Sequence, residues 1–343
     1  MSDNLFEEFE HLEDLEALRK TLWKTQQALR TAKAKTEDLV KATVEAATEA
    51  TLAIGAVKAV APPKVDTRKG KPEVALWHLT DWQGSKVTAT YNSEVMRERI
   101  LRFCDRAKKV TDIQRAHHPV RECVILFGGD HIEGLFNFPQ QPFEIDAGLH
   151  DQWLRVGRLQ IDVVRLALAD HDKVTVVGEW GNHGRIGGQR AAIPRSDNLD
   201  RITQTFARQV LEASGENRLT WNDSIEDIQH VEIGNYRALL IHGDEIGRNG
   251  FASKNTIINH INRWRGGGHS WEFQDVYMGH YHTPGEEALA DGVGSAYWTG
   301  APESDNRYAG VRHASSARPS QRLHFIEPER GEVTAQYAKV WLD

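Results

Sequence analysis

Two apolar runs end in histidines: Leu239-Leu240-Ile241 leads into His242-Gly243-Asp244, and Val276-Tyr277-Met278 into Gly279-His280-Tyr281-His282. Short apolar runs bounded by glycine read as buried strands, and a polar residue just past such a strand is held rigidly at a sheet edge. Three neutral imidazoles delivered in this way suit a transition metal. Any one of them alone would read as an ordinary core or surface histidine.

The chain upstream repeats the pattern. Val74-Ala75-Leu76-Trp77-His78-Leu79-Thr80 runs into Asp81-Trp82-Gln83-Gly84, and Val124-Ile125-Leu126-Phe127 into Gly128-Gly129-Asp130-His131-Ile132-Glu133-Gly134. Val174-Thr175-Val176-Val177 runs into Gly178-Glu179-Trp180-Gly181-Asn182-His183-Gly184-Arg185. Each apolar run is followed closely by an oxygen or nitrogen donor, so five loops could deliver ligands to one sheet edge. The order is aspartate loop, Gly-Asp loop, Gly-Asn-His loop, lone histidine and Gly-His-x-His. It resembles the calcineurin-like metallophosphoesterase family over roughly residues 72 to 330, with Gly181-Asn182-His183 and Gly279-His280-Tyr281-His282 carrying most of the match.

The resemblance implies a four-layer α/β/β/α sandwich holding two divalent ions. Asp130 would bridge them, Asp81 and His282 would complete one site, and Asn182, His242 and His280 the other. His183 would sit beside the phosphate, stabilising the transition state or protonating the leaving oxygen, work suited to a group that titrates near neutral pH. Paired metals polarise the ester oxygens and acidify a bridging water, so no protein nucleophile is required. One departure is plain: the family's first loop is usually Asp-x-His, and here it is Asp81-Trp82-Gln83. An amide oxygen coordinates weakly and is hard in character, which tilts metal choice towards Mn²⁺ or Mg²⁺, with Zn²⁺ or Fe behind. Alternatively Gln83 is no ligand, and His78 or His131 takes part. His78 lies within a strand and reads as a buried core histidine, while His131 follows the bridging aspartate and is a candidate substrate contact with Arg185 and Arg190.

The rest of the chain sets the frame. At 343 residues and 40% hydrophobic there is enough for one sizeable domain plus an appendage. Residues 1–60 hold Leu15, Leu22 and Leu29 at a spacing of seven, with Leu18, Ala32 and Leu39 as a second, imperfect seam. That segment reads as a coiled coil, through which residues 4–60 would bind a second copy or a protein partner, or as a long solvated helix folded back on the domain. Pro62 and Pro63 open a linker over 61–72, and residues 73–343 form the catalytic domain. Helices are expected over Ser93 to about Arg115, about Ile145 to Asp170, and about Asp200 to Ser214. Strands are expected over Ile228 to Ile233, Tyr236 to Ile241, Asp275 to Met278, Gly294 to Tyr297 and Gln321 to Ile326. Alternating α/β followed by mostly β fits two packed sheets flanked by helices.

A net charge of -7 makes the chain no polycation, which does not exclude a nucleic-acid substrate. Cys104 and Cys123 lack CxxC spacing and read as buried free thiols. No apolar stretch approaches the roughly eighteen residues a membrane helix needs, so a soluble cytoplasmic protein is expected, in the host cell if the chain is phage-encoded. Arg185, Arg190, Arg195 and Arg201, then Arg263 and Arg265, then Arg307, Arg312, Arg318 and Arg322 could grip phosphates, and Trp264, Trp271 and Trp298 could stack bases. The loops around Asp130, Asn182 and His280 are also similar to bacteriophage-encoded phosphoesterases grouped with DNA repair exonucleases, which implies a DNA phosphodiesterase or nuclease. Two alternatives stay open: a phosphodiesterase or phosphomonoesterase for small nucleotides, and an interaction protein that keeps a weak or degenerate metal site.

Overall fold

The structure, a computed structural model, describes residues 57–187, 194–222, 224–246, 252–290, 292–305 and 317–343, with scattered helical positions between 20 and 49. Of the seam expected near the N-terminus, Leu22 is helical and 57% exposed, and Leu15, Leu18, Leu29, Ala32 and Leu39 lie outside the described residues. The linker has no regular structure up to Glu73, and Arg121 Nη2 holds it by donating to Asp66 O at 2.8 Å.

The first sheet contains β1 (Glu73–Leu79), β2 (Val120–Gly128), β3 (Lys173–Glu179) and β4 (Leu219–Asn222), all parallel, with β10 (Ser320–Glu327) antiparallel beside β1 and β11 (Glu332–Trp341) antiparallel beside β10. The second contains β5 (Gln229–Ile233), β6 (Tyr236–Leu240), β7 (Asp275–Met278), β8 (Gly285–Ala288) and β9 (Ser295–Trp298), in the order β5-β6-β7-β9-β8. Every residue of β1 is buried, as the near-continuous apolar run of a central strand requires. Its side chains alternate between two cores. Ala75, Trp77 and Leu79 face the helices α1 (Ser93–Gln114), α2 (Leu149–Asp170) and α3 (Leu199–Ala213), while Val74 and Leu76 meet Val231, Ala238, Leu240 and Tyr277 of the second sheet. A third core, with Leu239, Val276 and Met278, is closed by Ile257 and Ile261 of α4 (Lys254–Arg263). Three cores between four layers make the α/β/β/α sandwich that the loops imply.

Local chemistry explains the boundaries. Asn92 caps α1 by accepting from Val95 N at 2.9 Å, and Asn198 caps α3 by accepting from Asp200 N at 2.9 Å. α2 starts at Leu149, later than the periodicity predicts, because Ile145 pairs with Lys86 and Asp146 accepts from Ser93 N and Oγ. β4, β8 and α4 escape a sequence reading. β4 pairs with β3 alone, the Gly-Glu-Glu-Ala edge strand β8 has no apolar alternation, and α4 buries only two isoleucines among polar residues. Cys104 and Cys123 are free and buried. Among the described residues no helix is long and apolar enough to cross a membrane.

Candidate metal centre

Parallel strands send their chemistry to one edge. Asp81, Asp130 and Asn182 lie just past the C-terminal ends of β1, β2 and β3, and His242 and His280 just past those of β6 and β7, which also run parallel to each other. Loop backbones extend the pairing past the strands: Asp81 N donates to Gly129 O, Gln83 N to Asp130 O and Gly84 N to His131 O, at 2.8–2.9 Å. Asp81, Gln83, Asp130, His280 and His282 all have φ between 48° and 64°, the left-handed region that L side chains rarely occupy. Local backbone strain of this kind clusters at functional sites. Two glycines make room. A Cβ on Gly181 would press on Asp130 Oδ1 and sit 2.5 Å from its Cγ, and one on Gly279 would press on Asp81 Oδ2.

The candidate donors converge. Asp130 lies in the middle: its Oδ2 is 3.1 Å from His242 Nε2 and 3.4 Å from Gln83 Nε2, while its Oδ1 accepts from His183 N at 2.7 Å. Nitrogen or oxygen atoms of Asp130, His242 and His280 all lie within 4.8 Å of one another. Asn182 Oδ1 is 3.2 Å from His242 Nε2 on that side. On the other side His282 Nε2 is 3.3 Å from Asp81 Oδ1 and 3.4 Å from Gln83 Nε2. His242 Nδ1 lies 2.8 Å from Gly128 O, which sets that nitrogen as the donor and turns Nε2 to the centre. His183 has Nδ1 3.2 Å from Glu133 Oε2 and Nε2 3.9 Å from Asp130 Oδ2.

The electrostatics are those of a site that demands positive charge. Burial opposes ionisation of Asp130, but His242 and His183 outweigh it and hold the carboxyl well below its usual range. Burial likewise opposes a charged His282, yet Asp81 and Glu303 push it up to about 10. His242 is raised well above its ordinary value by Asp130 against the same burial. Burial and the neighbouring His242 bring His280 down to about 4. A divalent ion would compete with protons for the His242 and His282 imidazoles, whose Nε2 atoms already face Asp130 and Asp81. Gln83 Oε1 is buried without a hydrogen-bond donor, a costly state that a cation would relieve. Imidazole nitrogens, carboxylates and amide oxygens in this arrangement fit divalent ions.

Several expectations need correction. His131 is no substrate contact: its ring is fully buried against Trp82 and Phe127, with Nε2 3.3 Å from Leu79 O, on the helix side of the first sheet. His78, by contrast, is the buried core histidine expected, between the sheets with its Nδ1 2.7 Å from Thr299 Oγ1. Arg185 is paired with Asp244, and Arg195 with Asp244 and Glu245, so both guanidiniums are engaged by protein carboxylates. Arg322 is buried, donating to Gly285 O and Trp298 O. Trp264, Arg265 and Trp271 line a cavity of about 680 Å³ with Gly234 and Gln274, by the starts of β6 and β7 and so at the far end of the sheet from His280. Arg190, Arg307 and Arg312 lie outside the described residues.

Three participants were not singled out from the sequence. Asp200, fully buried, accepts from Asp130 N at 2.8 Å, Gly181 N at 2.9 Å, His131 N at 3.1 Å and Ile132 N at 3.2 Å, tying two of the loops together. Its place in the first turn of α3 looks like any acidic residue favoured at a helix start. Glu303 approaches the centre from a segment that carries no motif, and Lys86 from just beyond Gly84 in the loop after β1.

No protein-family model and no curated protein matches the chain. Similar solved structures include Vps29 complexed with Zn²⁺ from Entamoeba histolytica, at 11% identity and a TM-score of 0.32 over 77% of this chain and 98% of that one. A metallophosphoesterase from Sphaerobacter thermophilus is 10% identical, with a TM-score of 0.33 over 79% of this chain and 89% of that one. A conserved protein from Streptococcus pneumoniae TIGR4, a predicted phosphoesterase, is 11% identical, with a TM-score of 0.30 over 78% and 99%. At these values no activity carries across, and the chemistry rests on the side chains themselves. The solved structures similar to this chain thus include proteins named as phosphoesterases.

Proposed function

We propose that the chain is a metal-dependent phosphodiester hydrolase, with DNA as its substrate class. The observation that carries the reading is the convergence of Asp81, Gln83, Asp130, Asn182, His242, His280 and His282 on one sheet edge, with Asp130 in contact with donors on both sides. Asp81, Gln83, Asp130 and His282 would hold one divalent ion, and Asp130, Asn182, His242 and His280 a second. When bound, such ions supply positive charge to an anionic ester and acidify water. The remaining work falls to the protein. Burial disfavours a charged His183, but Glu133 and Asp130 outweigh it and raise the imidazole above its ordinary value. With Nδ1 engaged by Glu133, Nε2 is the atom from which a proton would pass to the leaving oxygen.

Aromatic surface beside His183 supports a substrate that carries bases. Phe138 stands 4.8 Å from the His183 ring between centroids, Phe136 is 41% exposed, and Asn137 Nδ2 anchors their loop on His183 O at 2.8 Å. Bases stack on such rings whatever their sequence. A second reading, a small nucleotide ester, is favoured by the engagement of Arg185 and Arg195 with acidic neighbours, which leaves fewer cations for a polyanion. The test is hydrolysis of end-labelled single- and double-stranded DNA beside a chromogenic bis-ester and mono-ester, in Mn²⁺, Mg²⁺ or EDTA, with His183→Ala as control. Metal-dependent and His183-dependent loss of DNA is expected. Turnover of the chromogens with intact DNA would replace this reading with the small-ester one, and silence on every substrate would refute both.

A further inference from the structure

Beneath the centre lies a buried charge cluster that donor chemistry alone does not call for. Lys86 is 7% exposed, with Nζ 3.6 Å from Glu133 Oε1 and 3.9 Å from Glu303 Oε1. Each glutamate turns its other oxygen to a different histidine: Glu133 Oε2 is 3.2 Å from His183 Nδ1, and Glu303 Oε2 is 3.2 Å from His282 Nδ1. One ammonium therefore stands behind both imidazoles, each time through a carboxylate.

All three members are fixed from outside. Lys86 N donates to Gln83 O at 2.8 Å, and Glu133 N to Gly84 O at 3.1 Å, in the paired loops after β1 and β2. The segment bearing Glu303 is pinned by Arg99, which donates to Pro302 O at 2.6 Å and Ser304 Oγ at 2.9 Å, and by Thr88 Oγ1, which donates to Ser304 O at 2.7 Å. Two carboxylates this deeply buried repel each other unless a cation lies between them. Without it they would turn away from each other, which releases the Nδ1 contacts that orient the two rings.

We propose that Lys86 is a positioning residue that fixes His183 and His282 together by holding Glu133 and Glu303 in place. This goes beyond the phosphoesterase reading and rests on it only in taking the centre to bind metal. The test compares Lys86→Met, Lys86→Arg, Glu303→Gln and the double variant Lys86→Met/Glu303→Gln. Mn²⁺ affinity is read by calorimetry, kcat and KM on the bis-ester by kinetics, and unfolding of the metal-free proteins serves as a control. Lys86→Met should bind Mn²⁺ about 10- to 100-fold more weakly, the usual cost of losing a partner behind a metal-binding histidine. Its kcat should fall while KM stays within about twofold, and Lys86→Arg should recover most of both. The double variant should lose little more affinity than Glu303→Gln alone, because the two act through one contact. Should Lys86→Met fail to fold, Glu303→Gln, which keeps the side chain's shape, decides by the same affinity. A Lys86→Met or Glu303→Gln protein with wild-type affinity and turnover, or full additivity in the double variant, would overturn the proposal while the metal reading stood. A wild-type protein that binds no Mn²⁺ would overturn both.

Discussion

Replacing Gly181 by alanine tests whether the centre is as tightly built as its contacts indicate. The added methyl would press on Asp130 Oδ1 and N and lie 2.5 Å from Asp130 Cγ. Carbon atoms rest about 3.5 Å apart or more, so roughly 1 Å must be found somewhere. Asp130 cannot yield freely, because its N donates to Asp200 Oδ2 at 2.8 Å and its Oδ1 accepts from His183 N at 2.7 Å. Nor can residue 181, whose N donates to Asp200 Oδ2 at 2.9 Å and whose O accepts from Asn198 Nδ2 at 2.7 Å. The displacement therefore falls on the Asp130 carboxylate, between the two donor sets. Overpacking of this size costs about 1–3 kcal/mol of stability, and a misplacement near 1 Å in a reacting geometry costs about 10²-fold in rate. Urea unfolding of the metal-free protein and kcat on the bis-ester in Mn²⁺ give the two readouts. A Gly181→Ala protein with kcat within about threefold of wild type would refute the claim that Asp130 is held rigidly.

Asp200→Ala strips four backbone N–H groups of their acceptor and should destabilise the metal-free protein by about 3 kcal/mol or more, even after the relief of burying no charge there; urea midpoints check it. His171, far from the centre, is brought down to about 4 by burial, so below pH 6.5 the unfolded chain takes up a proton that the folded one refuses. Stability should fall between pH 6.5 and about 4 by up to about 3 kcal/mol from this group. His171→Gln should flatten that part of the curve, and an unchanged slope would refute the assignment. Mn²⁺ at about 100 times its Kd should raise stability by about 2.7 kcal/mol, with EDTA reversing it. His242→Ala should lose that increment, read as a shift in thermal unfolding.

The layers were legible because β1, β2 and β3 carry apolar runs that end in polar loops, and because α1 and α3 show helical spacing with asparagine caps. The candidate donors were legible for the same reason: most follow a strand closely, so position along the chain almost fixes position in space. What escaped was whatever depends on a distant segment. Asp200 and Glu303 reach the centre from α3 and from the stretch after β9, and neither has a spacing that says so. His131 misled because its side chain, though next to Asp130 in sequence, is buried on the helix side of the first sheet, among Trp82 and Phe127. The arginines misled because charge read along a chain does not reveal that Asp244 and Glu245 already engage it.

Position 83 shows how sequence and structure together weigh the departure in the first loop. A glutamine where the resembling family has histidine could mean that this corner of the site has decayed. Decay leaves a different signature: a residue freed of its role relaxes its backbone, because a left-handed φ on a non-glycine residue costs on the order of 1 kcal/mol or more with nothing to offset it. Gln83 keeps φ at 48°, is fully buried, and reaches both Asp130 and His282 at 3.4 Å. Its Oε1 stays buried without a donor. Strain, burial and an unsatisfied acceptor are three separate costs, and they coincide with the same strained backbone at Asp81, Asp130, His280 and His282. Position 83 is therefore held at the centre despite these costs, which supports the proposed metal-binding reading over one in which the site is a remnant.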